Sequence, residues 1–265
     1  MSASPTYEVL VDLGPVGTRA LVSGPEDGPV VCALHSAALD AHEFDGLREA
    51  LPEAIRFISF DQRGHGQAVS APADSVTLAH MAVDVSTVLD TLDVRRPVRL
   101  VGHSAGGLIA ALAAEEDPRR YPSLHVAASP AAGVPAFAER ARAARQDGMA
   151  AMVEPTLRRW FGEQTLCEGG SLIDYARACI NAMTVDAWAA LWESMARFPG
   201  FAGLRLPRTY CVSGEEDAST PPEVLDAIAE SVTAAGHTVL SGVGHMFPME
   251  APMRFAAVLT EDWSM

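Results

Sequence analysis

Ser104 sits in Gly102-His103-Ser104-Ala105-Gly106, a G-x-S-x-G pattern. An apolar run, Val98–Gly102, precedes it, and an alanine-rich helical stretch, Ala105–Glu116, follows it. A serine on a tight strand-to-helix turn is held in a crowded backbone, and Gly102 and Gly106 relieve that crowding. The start of the helix also aims free N–H groups and a partial positive charge at any oxyanion formed beside the serine. The chemistry implied is nucleophilic acyl transfer, which needs a base for the serine and an acid to orient the base. For this turn the chain order is Ser, then Asp, then His. Of eight histidines, His35, His65, His103 and His125 lie at or beside strand ends and read as satisfied near-core residues, and His237 directly precedes a strand. His245, in Gly242-Val243-Gly244-His245, falls on a flexible loop after the last strand and is the candidate base. Asp217, in Gly214-Glu215-Glu216-Asp217, is the candidate acid, with Glu215 and Glu216 as rivals. The backbone N–H of Ala105 is one oxyanion donor, and the loop His35-Ser36-Ala37-Ala38 offers a second at Ala37.

These residues need a scaffold of alternating strands and helices. Tyr7–Leu13 and Thr18–Ser23 read as strands joined at Gly14-Pro15, and Val30–His35 and Ile55–Phe60 as strands buried on both faces. Ser75–Asp93 carries apolar residues at spacings of three and four, with Thr77 as a cap. Leu124–Ser129, Thr209–Ser213 and Thr238–Leu240 read as further strands; Pro222–Ala234 and Met253–Trp263 read as helices. Such alternation predicts a parallel sheet covered on both faces. The rhythm breaks between Gly133 and Gly200, where only helices are legible: Pro135–Asp147, Met149–Trp160, Ser171–Met183 and Val185–Arg197. The expected organisation is therefore a core of residues 1–132 and 201–265, with an all-helical lid at 133–200. The lid holds seven arginines against eight acidic residues, so nearly all of the chain's excess negative charge lies elsewhere.

Composition narrows the chemistry. The 265 residues carry 34 acidic side chains against 19 basic ones, a net charge of −15, and every basic residue is arginine. Lysine Schiff-base chemistry and a phosphate-binding P-loop lysine are thereby excluded. The acidity argues against nucleic acid or an anionic membrane as partner. No apolar run approaches the ~18 residues of a membrane helix, and Met1–Pro5 has neither a basic nor an apolar leader segment, so a cytoplasmic location is expected; the expected assembly is a monomer or homodimer. None of Cys32, Cys167, Cys179 and Cys211 forms a C-x-x-C pair; Cys32 and Cys211 read as small buried apolar residues. Gly64-His65-Gly66-Gln67-Ala68-Val69 lacks the third glycine of a dinucleotide loop. His42-Glu43 is followed by Gly46 rather than a second histidine, so no zinc motif forms, and neither metal nor organic cofactor is expected.

The set Ala33-Leu34-His35-Ser36, Asp61-Gln62-Arg63-Gly64-His65-Gly66, Gly102-His103-Ser104-Ala105-Gly106-Gly107, Gly214-Glu215-Glu216-Asp217 and Gly244-His245 resembles the α/β-hydrolase superfamily over essentially the whole chain. The resemblance implies a mostly parallel eight-stranded sheet with its second strand antiparallel, flanked by helices and topped by a helical cap. Within the superfamily the chain looks most like the 3-oxoadipate enol-lactonase group, chiefly through the cap segment from Phe137-Ala138-Glu139-Arg140 to Trp160-Phe161. It departs from that group at Phe44 and Phe137, where tryptophan is usual, and at Ala37-Ala38 in place of Leu-Gly. The activity implied is hydrolysis of a small ester or lactone through an acyl-enzyme; C–C bond hydrolysis and cofactor-free perhydrolysis use the same three residues. A small-molecule receptor on the same scaffold is the reading from a different class. The substrate pocket is expected to draw on Phe44, Phe137, Arg140, Trp160, Trp188 and Met246. Arg140, matching an arginine of the group's cap, would anchor a carboxylate.

Overall fold

Period-two alternation runs through the central strands. Val30, Cys32 and Leu34 of β3 (Val30–Leu34) face one apolar cluster, while Val31 and Ala33 face another. The same alternation puts Ile58 and Phe60 of β4 (Arg56–Phe60) on the first side and Phe57 on the second. Strands buried on both faces need helices on both faces, and this dictates the layering. The computed structural model describes residues 5–264. The expectation of no leader at Met1–Pro5 rests, save for Pro5, on residues outside that range.

The sheet has eight strands. To β3 and β4 are added β1 (Tyr7–Asp12), β2 (Gly17–Ser23), β5 (Val98–His103), β6 (Ser123–Ala127), β7 (Arg208–Gly214) and β8 (Gly236–Leu240), in the spatial order β1-β2-β4-β3-β5-β6-β7-β8. β2 runs antiparallel to both β1 and β4, and all other neighbours are parallel. Helices α1 (Asp45–Ala50), α10 (Phe247–Glu250) and α11 (Pro252–Ser264) cover one face, where Leu47, Phe247, Phe255 and Leu259 join Phe57 and Val101. Helices α2 (Leu78–Thr91), α3 (Ala105–Glu116) and α9 (Pro222–Val232) cover the other. Thr77 caps α2 as expected, accepting from the His80 N–H at 3.2 Å, so the helix begins at Leu78, where the apolar spacing starts, rather than at Ser75.

Between β6 and β7 the chain is helical only: α4 (Pro135–Asp147), α5 (Met149–Trp160), α6 (Glu163–Glu168), α7 (Ser171–Ala182) and α8 (Val185–Ala196). Gly148, at φ 78°, breaks α4 from α5. The two ends of the segment meet, with the Gly133 N–H donating to Phe198 O at 2.8 Å. Side-chain bonds dock it on the core, among them the Tyr175 hydroxyl and the Cys179 thiol to Asp40, the Thr165 hydroxyl to Glu250, and the Leu78 N–H to Ser194. Cys32 and Cys211 are buried, and burial pushes both thiols up to about 12, so they act as inert apolar groups. Among the described residues no helix is long and apolar enough to cross a membrane.

Candidate active site

The register of the central strands brings the candidate residues together. Leu34 pairs with Gly102 across β3 and β5, so the loops leaving both strands emerge side by side, with Ala37 and Ala105 each three residues further on. Ser104 lies at φ 54°, ψ −117°, a left-handed region that costs a non-glycine residue about 1–3 kcal/mol, and it heads α3. Its N–H is tied to Ala127 O at 2.8 Å. The flanking glycines are steric necessities: a Cβ on Gly102 would lie 2.3 Å from Gly106 O, and one on Gly106 would lie 2.0 Å from Leu34 O. Gly107 has the same role, since a Cβ there would come within 1.9 Å of Ser129 Oγ.

Close backbone approach also unites the other two loops. A Cβ on Gly214 would meet Gly244 O at 2.4 Å, so the turn after β7 abuts the loop after β8. His245 Nδ1 then donates to Asp217 Oδ2 at 2.8 Å, with both side chains buried. Oδ1 of Asp217 accepts from the N–H groups of Ser219 at 2.7 Å and Thr220 at 2.9 Å. Burial alone would raise the Asp217 carboxyl, but the His245 ring and these donors outweigh it and hold the group below its ordinary range. Of the rival acids, both exposed, Glu215 accepts from the Gly242 N–H and neither bonds to His245. Nε2 of His245 is buried without a hydrogen-bond partner among the described residues, Ser104 included. The N–H groups of Ala37 and Ala105 likewise make no hydrogen bond within the described residues.

The candidate pocket residues divide. Phe137, Trp188 and Trp192 form one aromatic cluster between α4 and α8, with Phe137–Trp192 centroids 5.2 Å apart and Trp188–Trp192 centroids 5.6 Å apart. The Arg140 guanidinium lies 4.5 Å over Trp192 and 5.3 Å over Phe137. Burial lowers its pKa, and no carboxylate pairs with it among the described residues. Arg159 is near enough that its own pKa, lowered chiefly by burial and further by Arg140, falls to about 10. Trp160 ends α5 with its carbonyl beside Gly244, and Met246 follows His245 in the core. Phe44 belongs elsewhere: it is wholly buried on the opposite face of the sheet, edge-on to Phe57 at 6.4 Å. Arg145, one turn beyond Arg140, pairs with Glu193 on α8. A partly open cavity of about 520 Å³ borders the loop at Ala38 and Leu39 and is also lined by Tyr175, Cys179 and Met183. Sequence reasoning missed Thr220, whose hydroxyl lies 2.8 Å from Asp217 Oδ2, and Glu43, which faces His103; no local pattern marks either. Groups of three or more metal-ligating side chains are absent among the described residues.

The family pattern of the α/β-hydrolase fold matches residues 29–165, just over half of the chain. The chain is similar to 3-oxoadipate enol-lactonase 1 of Acinetobacter baylyi, at 24% identity over 244 residues that cover 90% of each protein. It is also similar to the magnesium-chelatase 30 kDa subunit of Rhodobacter capsulatus, at 28% identity over 95% of this chain and 92% of that one. Among solved structures, an esterase from Thermogutta terrifontis superposes with a TM-score of 0.84 at 25% identity, covering 98% of both chains. The protein therefore belongs to the α/β-hydrolase fold family.

Proposed function

We propose that this enzyme, an esterase- or lactonase-type α/β hydrolase, works through Ser104, His245 and Asp217. The carrying observation is the strained Ser104 on its glycine-flanked turn beside a buried His245–Asp217 pair of 2.8 Å. Ser104 attacks an ester or lactone carbonyl while Nε2 of His245 takes its proton. The free N–H groups of Ala37 and Ala105 receive the oxyanion, and each such donor is worth on the order of 10²–10³ in rate. The carbonyl bond to the leaving oxygen then breaks, and His245 returns its proton to that oxygen. Water, deprotonated by His245, releases the acid from Ser104. The likeness to an enol-lactonase and to an esterase supports a small ester or lactone as substrate. Phe137, Trp160, Trp188 and Met246 supply the apolar wall and Arg140 a cation. Phe44, buried under the sheet, has no part in it.

The test is a fluorophosphonate probe together with a panel of lactones and p-nitrophenyl esters. Wild-type protein is labelled at Ser104 and turns over members of the panel. Ser104→Ala loses both while keeping its thermal transition. Label on another residue, or turnover retained in Ser104→Ala, overturns the assignment.

A further inference from the structure

Glu43 and His103 are both fully buried and face each other, far from any solvent that could repay their desolvation. Glu43 stands in a single helical turn, Ala41–Phe44, whose entry is capped by Asp40 accepting from the His42 N–H at 2.9 Å. One carboxylate oxygen accepts both from the Ser36 N–H at 2.7 Å and from the Ser36 hydroxyl at 2.9 Å. The other oxygen bonds Nδ1 of His103. Nε2 of His103 lies 2.9 Å from the carbonyl oxygen of His245. A carbonyl only accepts, so Nε2 carries a proton, and a second proton lies between Nδ1 and the carboxylate. Burial would raise the Glu43 carboxyl, yet the facing imidazole and the Ser36 N–H hold it below its ordinary range, which favours its carboxylate form.

The chain of bonds Ser36–Glu43–His103–His245 joins the segment after β3, the end of β5 and the loop after β8, which are far apart along the chain. Its ends flank the reacting atoms: Ser36 immediately precedes Ala37, and the His245 carbonyl belongs to the residue proposed as base. The His103 and His245 rings are 5.0 Å apart. We propose that Glu43 and His103 are a positioning pair, which fixes the oxyanion loop and the His245 loop relative to each other across the Ser104 turn. An apolar pair of the same volume would fill the space but would leave the two loops free to drift. A drift of about 1 Å at a reacting atom costs up to about 10²-fold in rate. This inference rests on the reading of Ser104, His245 and Asp217 as the reacting set.

Glu43→Gln keeps the shape, and Glu43→Leu removes the bonds. For both, turnover is measured per active site titrated with fluorophosphonate, so that misfolded protein drops out of the comparison. A positioning role lowers kcat per titrated site about ten- to hundredfold in Glu43→Leu, with KM within about twofold, and less in Glu43→Gln. A merely structural role lowers the melting temperature and the titratable fraction while kcat per site stays at the wild-type value; that result overturns the proposal. A second readout needs no active variant. Proton NMR of the wild-type chain shows two far-downfield imidazole N–H resonances; Asp217→Asn removes one and Glu43→Gln the other. A single such resonance, lost in Asp217→Asn, also overturns the pair. Should Ser104 resist labelling, the hydrolase reading fails, whereas the second resonance still reports on Glu43 and His103.

Discussion

Asp217 has no idle acceptor. Oδ2 accepts a hydrogen bond from His245 Nδ1, while Oδ1 accepts from two backbone N–H groups that fix the carboxylate in the turn. In Asp217→Asn the amide oxygen takes the place of Oδ1 to satisfy those donors, so the amide nitrogen faces the histidine. His245 must then carry its proton on Nε2 and cannot accept one from Ser104. The expected result is a fall in kcat of about 10³–10⁴ with KM nearly unchanged, as for a triad held in the wrong tautomer. Glu216→Gln, on an exposed side chain, stays near wild type; steady-state kinetics on one p-nitrophenyl ester separates the two. Ser104, Asp217 and His245 were legible because each follows a strand end by a few residues, a local relation. Glu43 was visible only as a failed zinc motif, since its partner lies 60 positions along the chain and only the sheet brings them together.

The strands and long helices of the sheet were legible from apolar period, and their ends shifted where side chains, not periodicity, decided the boundary. α6 escaped notice because none of its residues is buried, so it has no apolar stripe to read. α1 is only six residues long, too short for a periodic signal. The helical segment also holds the cation that the proposed function gives to the substrate. Arg140 on α4 is half-buried over Phe137 and Trp192, without a carboxylate, and Arg159 on α5 adds a second cation nearby. Two adjacent guanidinium groups repel unless an anion lies between them, so a substrate carboxylate would relieve the repulsion as well as accept a bidentate contact. Arg140→Ala is expected to lower kcat/KM about ten- to hundredfold on an anionic lactone or ester, the equivalent of one charged hydrogen-bonded contact. On a neutral substrate of equal size the loss should be a few-fold, reflecting the aromatic packing that Arg140 also supports. Equal losses on both would make Arg140 a support for α4 and α8 only.

Across the whole molecule, acid sensitivity follows from histidines buried in the neutral form. His65 has its Nδ1 beside Arg63 O at 2.9 Å, while its Nε2 is buried without a partner among the described residues. Burial, reinforced by the neighbouring His35, lowers its pKa to about 3. His125, stacked on Tyr210, is lowered too, because burial outweighs the nearby Asp262. An unfolded histidine titrates near 6.5, so below that pH the unfolded chain takes up a proton that the folded chain refuses. Stability is therefore intact above about pH 6.5 and falls as pH drops toward the folded pKa, at about 1.4 kcal/mol per pH unit for His65, with His125 acting in the same direction. His42 acts in the opposite sense: its bond to Asp45 raises its pKa, so its contribution is full at low pH and fades as pH rises, but it is half-exposed and screened. The carboxylates of Asp217 and Glu43, both lowered, keep their contributions down to about pH 4 and lose them only below it. Between pH 6.5 and 4.5 His65 therefore contributes a loss of stability as the pH falls. His65→Asn preserves a donor for Arg63 O and removes the titration. Urea unfolding at half-unit steps over that window should show the variant's stability falling less steeply than wild type by about 1.4 kcal/mol per pH unit. Parallel curves for the two proteins would mean that His65 takes up its proton in the folded state, against the burial argued for it.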